Sequence, residues 1–252
     1  MLISMLKRLA PPTVRRLAGR LRGQGLVGLF HERSNAEIFA RAYRRNVWGK
    51  GNQPYYSGLG SHDARLVDPY ISAVRVFLTA QPNPLDAVDL GCGDFSVGRQ
   101  LRPLCGRYVA CDIVPNLINW LRTQADLSDV DFQVLDIVKE ALPTGDVVFL
   151  RQVLQHLSNA HISAVLSKLR EFRFVIVTEH VPLGVFTANV DLSSGIDVRS
   201  NFGSGVELGE TPFLFAQQAH VICRVPLDAS ELVTTLYRQT EAAGVSGSRD
   251  LS

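Results

Sequence analysis

The reading of the chain turns on Ala87–Gly98, AVDLGCGDFSVG. An apolar run, Ala87, Val88 and Leu90, is broken by Asp89 and followed by two glycines, Gly91 and Gly93. A glycine that ends a buried strand lets the chain turn sharply, and a second lets the backbone approach a ligand with no Cβ in the way. The dinucleotide fingerprint GxGxxG also needs a third glycine for close helix–strand packing, and Ser96 stands at that position. A two-glycine turn alone fits many loops, so its surroundings decide.

Outward from the turn, short apolar runs bounded by glycine, proline or acid recur. LDAVDL (85–90), RYVACDIV (107–114), DFQVLD (131–136), DVVFL (146–150) and FRFVIVTEH (172–180) each read as a buried strand. Helical patterns lie between them, most clearly SNAHISAVLSKLREF (158–172), where Ser158 can cap and Ile162, Val165, Leu166 and Leu169 form one stripe. Strands alternating with helices predict βαβ units and a parallel sheet. Such sheets bind ligands at the carboxyl ends of their strands, so the residues ending each strand are the candidate site.

Upstream, SNAEIFARAYRRNVWG (34–49) opens with a Ser34/Glu37 capping box and carries Ile38, Phe39, Ala42 and Tyr43 at helical spacing. A glycine-rich loop (49–61) follows, then a second helical pattern, RLVDPYISAVRVFLTA (65–80). Downstream, residues 181–218 are rich in turn formers and follow a strand end, which predicts an acceptor-binding lid. HVICRVPL (220–227) reads as extended and DASELVTTLYRQT (228–240) as a helix capped by Asp228 and Glu231. The expected organisation is a basic arm (1–33), a helical cap segment (34–84), an α/β domain (85–240) and a disordered tail (241–252).

Composition narrows the class. Of 252 residues 46% are hydrophobic and 20% charged, enough for a core, and the net charge of +2 does not suggest a nucleic-acid binder. Basic residues concentrate at Lys7, Arg8, Arg15, Arg16, Arg20 and Arg22, with no aromatic-interleaved channel, so no nucleic-acid partner is expected. With leucines on one helical face, that segment fits either an arm packed on its own domain or a short helix on anionic lipid. No apolar run approaches the roughly 20 residues that span a bilayer. The cysteines, Cys92, Cys105, Cys111 and Cys223, show no zinc-site spacing, and mostly apolar neighbours suit a reducing, cytoplasmic setting, at the inner face of the membrane if the arm binds lipid.

Three acids sharpen the glycine turn. Asp89 lies two residues before Gly91, where a carboxylate would repel a pyrophosphate and suit a ligand carrying positive charge. Asp112 ends the next strand, about 20 residues on, where an acid accepts both ribose hydroxyls. Asp136 ends the third strand and can accept from an exocyclic amine. A cation, a ribose and an adenine together indicate S-adenosylmethionine rather than NAD.

With these residues in place the chain resembles the class I S-adenosylmethionine-dependent methyltransferases. The resemblance rests on VDLGCGD (88–94), ACDIV (110–114), LDI (135–137) and DVVFLRQVLQHLS (146–158). It implies a doubly wound, Rossmann-like, mostly parallel sheet of about seven strands with helices on both faces, behind a helical N-terminal segment. It also implies that Gly91, Cys92 and Gly93 take the methionine end with Asp89 facing its ammonium. Asp112 would hold the ribose, Ile113 pack on the adenine, Asp136 accept its amine, and the Ile137 N–H meet a ring nitrogen. Arg151 would sit where sulfonium and acceptor meet. Most members have glycine where this chain has Phe95. The GCGDF variant is similar to a bacterial subgroup associated with surface glycans, with further matches at Trp48-Gly49, Ser57–Ser61, Gly195, Arg199, Asn201, Pro212 and Phe213.

The expected activity is O-methylation of a sugar hydroxyl in glycan or glycolipid assembly, with a lipid or small natural product as the alternative acceptor. A nucleotide-dependent oxidoreductase is disfavoured by Ser96 and Asp89, and a non-catalytic cofactor-binding or scaffolding protein stands as the reading from another class. A hydroxyl acceptor needs a base, and His156 and His180 follow the fourth and fifth strands. Asn189, Asp191, Arg199 and Asn201 offer hydroxyl-directed hydrogen bonds from the lid. Glu179 with Asp191 is the pair that would hold a divalent ion, but no tight ligand cluster accompanies them and no metal is expected.

Overall fold

The computed structural model describes residues 34–215 and 218–238. The expected basic arm and C-terminal tail lie outside the described residues. The helices are α1 (Asn35–Arg44), α2 (Leu59–His62), α3 (Ala64–Thr79), α4 (Gly98–Leu101), α5 (Pro115–Arg122) and α6 (Asn159–Leu169). The strands are β1 (Ala87–Leu90), β2 (Tyr108–Asp112), β3 (Asp131–Val134), β4 (Val147–Arg151), β5 (Phe174–Pro182), β6 (Gln218–Leu227) and β7 (Ser230–Arg238).

One sheet of seven strands runs in the order β3-β2-β1-β4-β5-β7-β6. The first five are mutually parallel, whereas β7 runs antiparallel to both β5 and β6. Successive side chains of a strand point to opposite faces, and β1 shows it. Ala87 joins a core with Val74 and Phe77 of α3 and Leu117 and Leu121 of α5. Val88 and Leu90 join another with Ile162, Val165, Leu166 and Leu169 of α6. Helices therefore cover both faces, and burying each of those α6 side chains stabilises by about 1.5–3 kcal/mol.

The expected caps form. Ser34 Oγ accepts the Glu37 N–H while the Glu37 carboxylate accepts the Ser34 N–H, and Ser158 caps α6 through the His161 N–H. The helix expected over 228–240 does not form, because that stretch is β7. Its Leu232 and Leu236 fit a helical stripe, but Val233, Thr234 and Thr235 are a β-branched run that resists helix. Leu232, Thr234 and Leu236 are buried at a spacing of two, Tyr237 is buried in the core on the other face, and Thr234 bonds Thr178 of β5 at 2.9 Å through their hydroxyls.

Strand order reverses at β1, between β2 and β4. The crevice beyond such a reversal is where an open α/β sheet binds its ligand. The loops after β1 and β4 meet there: a Cβ on Gly91 would lie 2.6 Å from Val153 Cγ2.

Candidate active site

A cavity of about 530 Å³ opens at that crevice. Its floor is the Gly91–Gly93 turn, pinned where the Gly91 and Cys92 N–H groups both donate to Cys111 O at 2.8 and 2.9 Å. Gly91 and Gly93 take φ of +76° and +57°, backbone that favours glycine. Phe95 keeps the same left-handed conformation, φ +63°, with its ring wholly buried edge-on to Tyr108 and Phe132.

Asp112 and Asp136 both line the cavity, with Ile113, Leu135, Ile137 and Val138 beside them. Asp112 accepts the Gly93 N–H at 3.2 Å and the Val114 N–H at 2.9 Å, and burial raises its pKa to about 6. Asp136 accepts the Val138 N–H at 3.0 Å. Asp89 lies behind the turn, in a small adjoining cavity that shares Ser61, Gly91, Cys92 and Arg151 with the large one. Burial pushes its pKa up to about 7 against the Tyr108 hydroxyl, which donates to it at 3.2 Å. Arg151 reaches into both cavities. Its guanidinium stands 5.0 Å over the Tyr70 ring, and its Nε and Nη2 are buried without a hydrogen-bond acceptor.

The helical segment before the sheet is bolted onto this turn. The Asp94 carboxylate accepts the Ser57 N–H and bonds His62 Nε2, each at 2.7 Å, while Ser57 Oγ accepts the Asp94 N–H at 2.8 Å and bonds the Tyr43 hydroxyl at 3.1 Å. Asp94 and His62 in these roles were not anticipated. The visible signal was an acid closing GCGD and the polar SGLGSH segment upstream. Gly60 abuts Gln152, whose Oε1 would be 2.2 Å from a Cβ there.

His156 lines the cavity at the end of a 3-10 turn, Leu154–His156. Its Nδ1–H donates to Gly195 O at 3.1 Å and its own carbonyl accepts the Gly195 N–H at 2.9 Å. Burial, outweighing the Asp197 and Gly195 carbonyls, lowers its pKa to about 4. Phe39 and Trp48 stand 5.9 and 6.2 Å from the imidazole. His180 sits on β5, bonded through Nε2 to Ser230 Oγ at 2.7 Å, and does not line the cavity.

Residues 183–215 hold closely to the domain, with Asn189, Arg199, Ser204, Val206, Leu208 and Phe215 buried. Asn189 bonds the backbone of Glu207 and Thr211, Asp191 accepts the Asn159 N–H at 2.7 Å, and Asn201 is exposed in the Arg199–Phe202 turn. Arg199 donates to the carbonyls of Val190, Leu154 and Gln155 and to Asn159 Oδ1. None of these four lines the cavity; Ile196 and Val198 do. Glu179 accepts the Leu154 and Gln155 N–H groups, and burial raises its pKa to about 8. Among the described residues no cluster of three metal-ligating side chains occurs, and no helix is long and apolar enough to cross a membrane.

Residues 88–172 match the family model described as a methyltransferase domain. No curated protein sequence matches the chain. The N-methyltransferase NodS from Bradyrhizobium japonicum WM9, solved with S-adenosyl-L-homocysteine, superposes with a TM-score of 0.60 at 11% identity, covering 81% of this chain and 100% of its own. Magnesium protoporphyrin IX methyltransferase from Synechocystis PCC 6803, also with S-adenosyl-L-homocysteine, gives 0.53 at 18% identity over 81% and 100%. At such identities the likeness is one of fold. Residues 88–172 are thus similar in sequence to a methyltransferase domain, and the sheet that carries them has the fold of these methyltransferases.

Proposed function

We propose that the protein transfers a methyl group from S-adenosylmethionine to a hydroxyl of a sugar-bearing acceptor. The observation that carries the cofactor assignment is the pair of buried, unpartnered Arg151 donors beside Asp89, one wall away from Asp112 and Asp136. A buried guanidinium with two idle donors is costly unless a ligand satisfies it. An α-amino acid end fits, its carboxylate at Arg151 and its ammonium at Asp89. Arg151 thereby serves the methionine tail, rather than the meeting point of sulfonium and acceptor that the sequence suggested.

Asp112 then takes the ribose hydroxyls, Asp136 the adenine amine, and Ile113 and Ile137 the faces of the base. The bound cofactor supplies a methyl group already activated by positive sulfur. The chain must hold the acceptor in line and manage its proton, and alignment alone is worth several kcal/mol of barrier. His156 suits the second task. Its Nδ1–H is committed to Gly195 O, so the neutral ring leaves Nε2 unprotonated. Trp48 beside it offers an apolar platform for a sugar ring. His180, bonded to Ser230 and off the cavity wall, lacks that access, so the base role falls to His156.

The test is transfer of labelled methyl from S-adenosylmethionine to short glycans and glycolipids, followed by mild alkali. A methyl ether survives and supports the reading. Label lost as a methyl ester, or found on nitrogen, overturns it. The polar lid that favoured a sugar faces the protein rather than the cavity, so the sugar reading now rests on His156 and Trp48.

A further inference from the structure

The cavity wall holds more apolar surface than the groups that suit the nucleoside account for. The charged side chains in its wall, among the described residues, are Asp112, Asp136 and Arg151, all at the glycine turn or the adjacent strand ends. The same wall carries six large apolar side chains, Phe39, Val47, Trp48, Leu59, Ile196 and Val198. Phe39 and Trp48 lie nearly parallel, centroids 6.3 Å apart. Three of the six are also exposed: Leu59 at 67%, Val47 at 45% and Ile196 at 45%. They come from three separate segments, α2, the turn after α1 and the loop after β5, so the apolar surface continues from the interior over the rim.

We infer that the acceptor is an uncharged amphiphile whose alkyl or prenyl portion lies along Phe39, Trp48, Ile196 and Leu59 with its methylated hydroxyl at His156. This rests on the methyltransferase reading of the site. A purely polar glycan would leave the rim's apolar area in water and gain nothing from it. A nucleotide sugar would bring phosphate charges to a wall whose one Lys or Arg among the described residues, Arg151, stands beside Asp89 at the glycine turn. A small uncharged head joined to an apolar chain satisfies both His156 and the rim.

The experiment uses the full chain saturated with S-adenosyl-L-homocysteine, binding of which is first measured by calorimetry. Octyl β-D-glucoside below its micelle threshold, methyl β-D-glucoside and UDP-glucose are then titrated, read by tryptophan fluorescence. The expected result is saturable binding of the octyl glucoside at least tenfold tighter than that of either other probe. Leu59→Asp together with Ile196→Asp, both exposed and therefore tolerated by the fold, should weaken octyl glucoside binding at least tenfold and leave S-adenosyl-L-homocysteine affinity unchanged. Equal binding of the methyl glucoside, preference for UDP-glucose, no octyl glucoside binding, or octyl glucoside binding indifferent to the two substitutions each overturns the inference alone. Failure of S-adenosyl-L-homocysteine to bind would sink the site reading, and the inference with it.

Discussion

Glu179 and Arg199 hold the same two residues from opposite sides. Glu179 accepts the N–H groups of Leu154 and Gln155 at 2.9 and 3.1 Å, and Arg199 donates to the carbonyls of the same pair at 3.2 and 3.3 Å. The turn they fix carries His156 into the cavity wall. Removing the guanidinium would take the donor from the Val190 and Gln155 carbonyls and Asn159 Oδ1, leave Leu154 O with the Leu157 N–H alone, and withdraw the positive charge that steadies Glu179. Arg199→Met is therefore expected to cost about 3–5 kcal/mol in urea unfolding, in line with breaking a buried charged network. Glu179→Gln keeps the shape but turns one acceptor into a donor against an N–H, for about 1–3 kcal/mol. A loss below about 1 kcal/mol for Arg199→Met would show that the clamp contributes little to stability.

The role proposed for Asp89 predicts a pH dependence of cofactor binding with a definite sign. Burial holds its pKa near 7, so at lower pH a proton must leave before the carboxylate can take an ammonium. S-adenosyl-L-homocysteine affinity should rise from pH 5.5 toward about 7, by up to tenfold per unit, and level above it. The unliganded fold behaves oppositely. Asp89 and Asp112, with pKa values raised to about 7 and 6, contribute stability that is lost as pH rises through those values. Titration calorimetry from pH 5.5 to 8 checks the binding half. In Asp89→Asn the affinity should be weaker and its slope reduced to what Asp112 alone supplies; a wild-type slope in that variant would remove Asp89 from the site.

Much of this was legible because the informative residues are local. The β1 turn announces itself through Asp89, Gly91 and Gly93, and the strand-ending acids follow from apolar runs whose length and bounds are plain. What escaped was set by distant partners. The stretch Ser230–Arg238 carries two leucines four apart, and only pairing with β5 and β6 decides that its period is two. Asn189, Asp191 and Arg199 look like ligand-binding residues in a polar loop. Backbone groups around Leu154 and Glu207 claim Arg199 and Asn189 instead, and the Asn159 N–H claims Asp191, because unpaired carbonyls and N–H groups are costly. The Asp94–Ser57–His62 cluster joins residues more than 30 positions apart, a relationship no local spacing encodes.

His156 should matter for turnover rather than for cofactor binding. With its pKa lowered to about 4 the ring is neutral from pH 5.5 to 8, so it imposes no acid limb on kcat in that range. A limb from Asp89 is expected instead in kcat/KM for the cofactor. His156→Gln retains a donor for Gly195 O and loses the basic nitrogen. Its kcat is expected to fall roughly 10²–10⁴-fold, the usual worth of a positioned base, with S-adenosyl-L-homocysteine affinity within about twofold. Retained turnover would leave the reaction without a side-chain base at this position.

Phe95 sets two magnitudes against each other. At φ +63° a phenylalanine is strained, and replacement by glycine would relieve about 1–3 kcal/mol. The same change empties a wholly buried ring site between Tyr108 and Phe132, a deletion that costs about 3–5 kcal/mol. A Cβ on Gly98 would lie 2.3 Å from that ring, so the two positions have adjusted to each other. The cavity term is the larger, and Phe95→Gly should destabilise by about 1–3 kcal/mol net in urea unfolding. Gly98→Ala should destabilise in the wild-type background and cost less in the Phe95→Gly one, where Asp89 Oδ2, 2.8 Å from the added Cβ, is the close contact that remains. Additive behaviour of the two substitutions would mean the ring and Gly98 are not coupled.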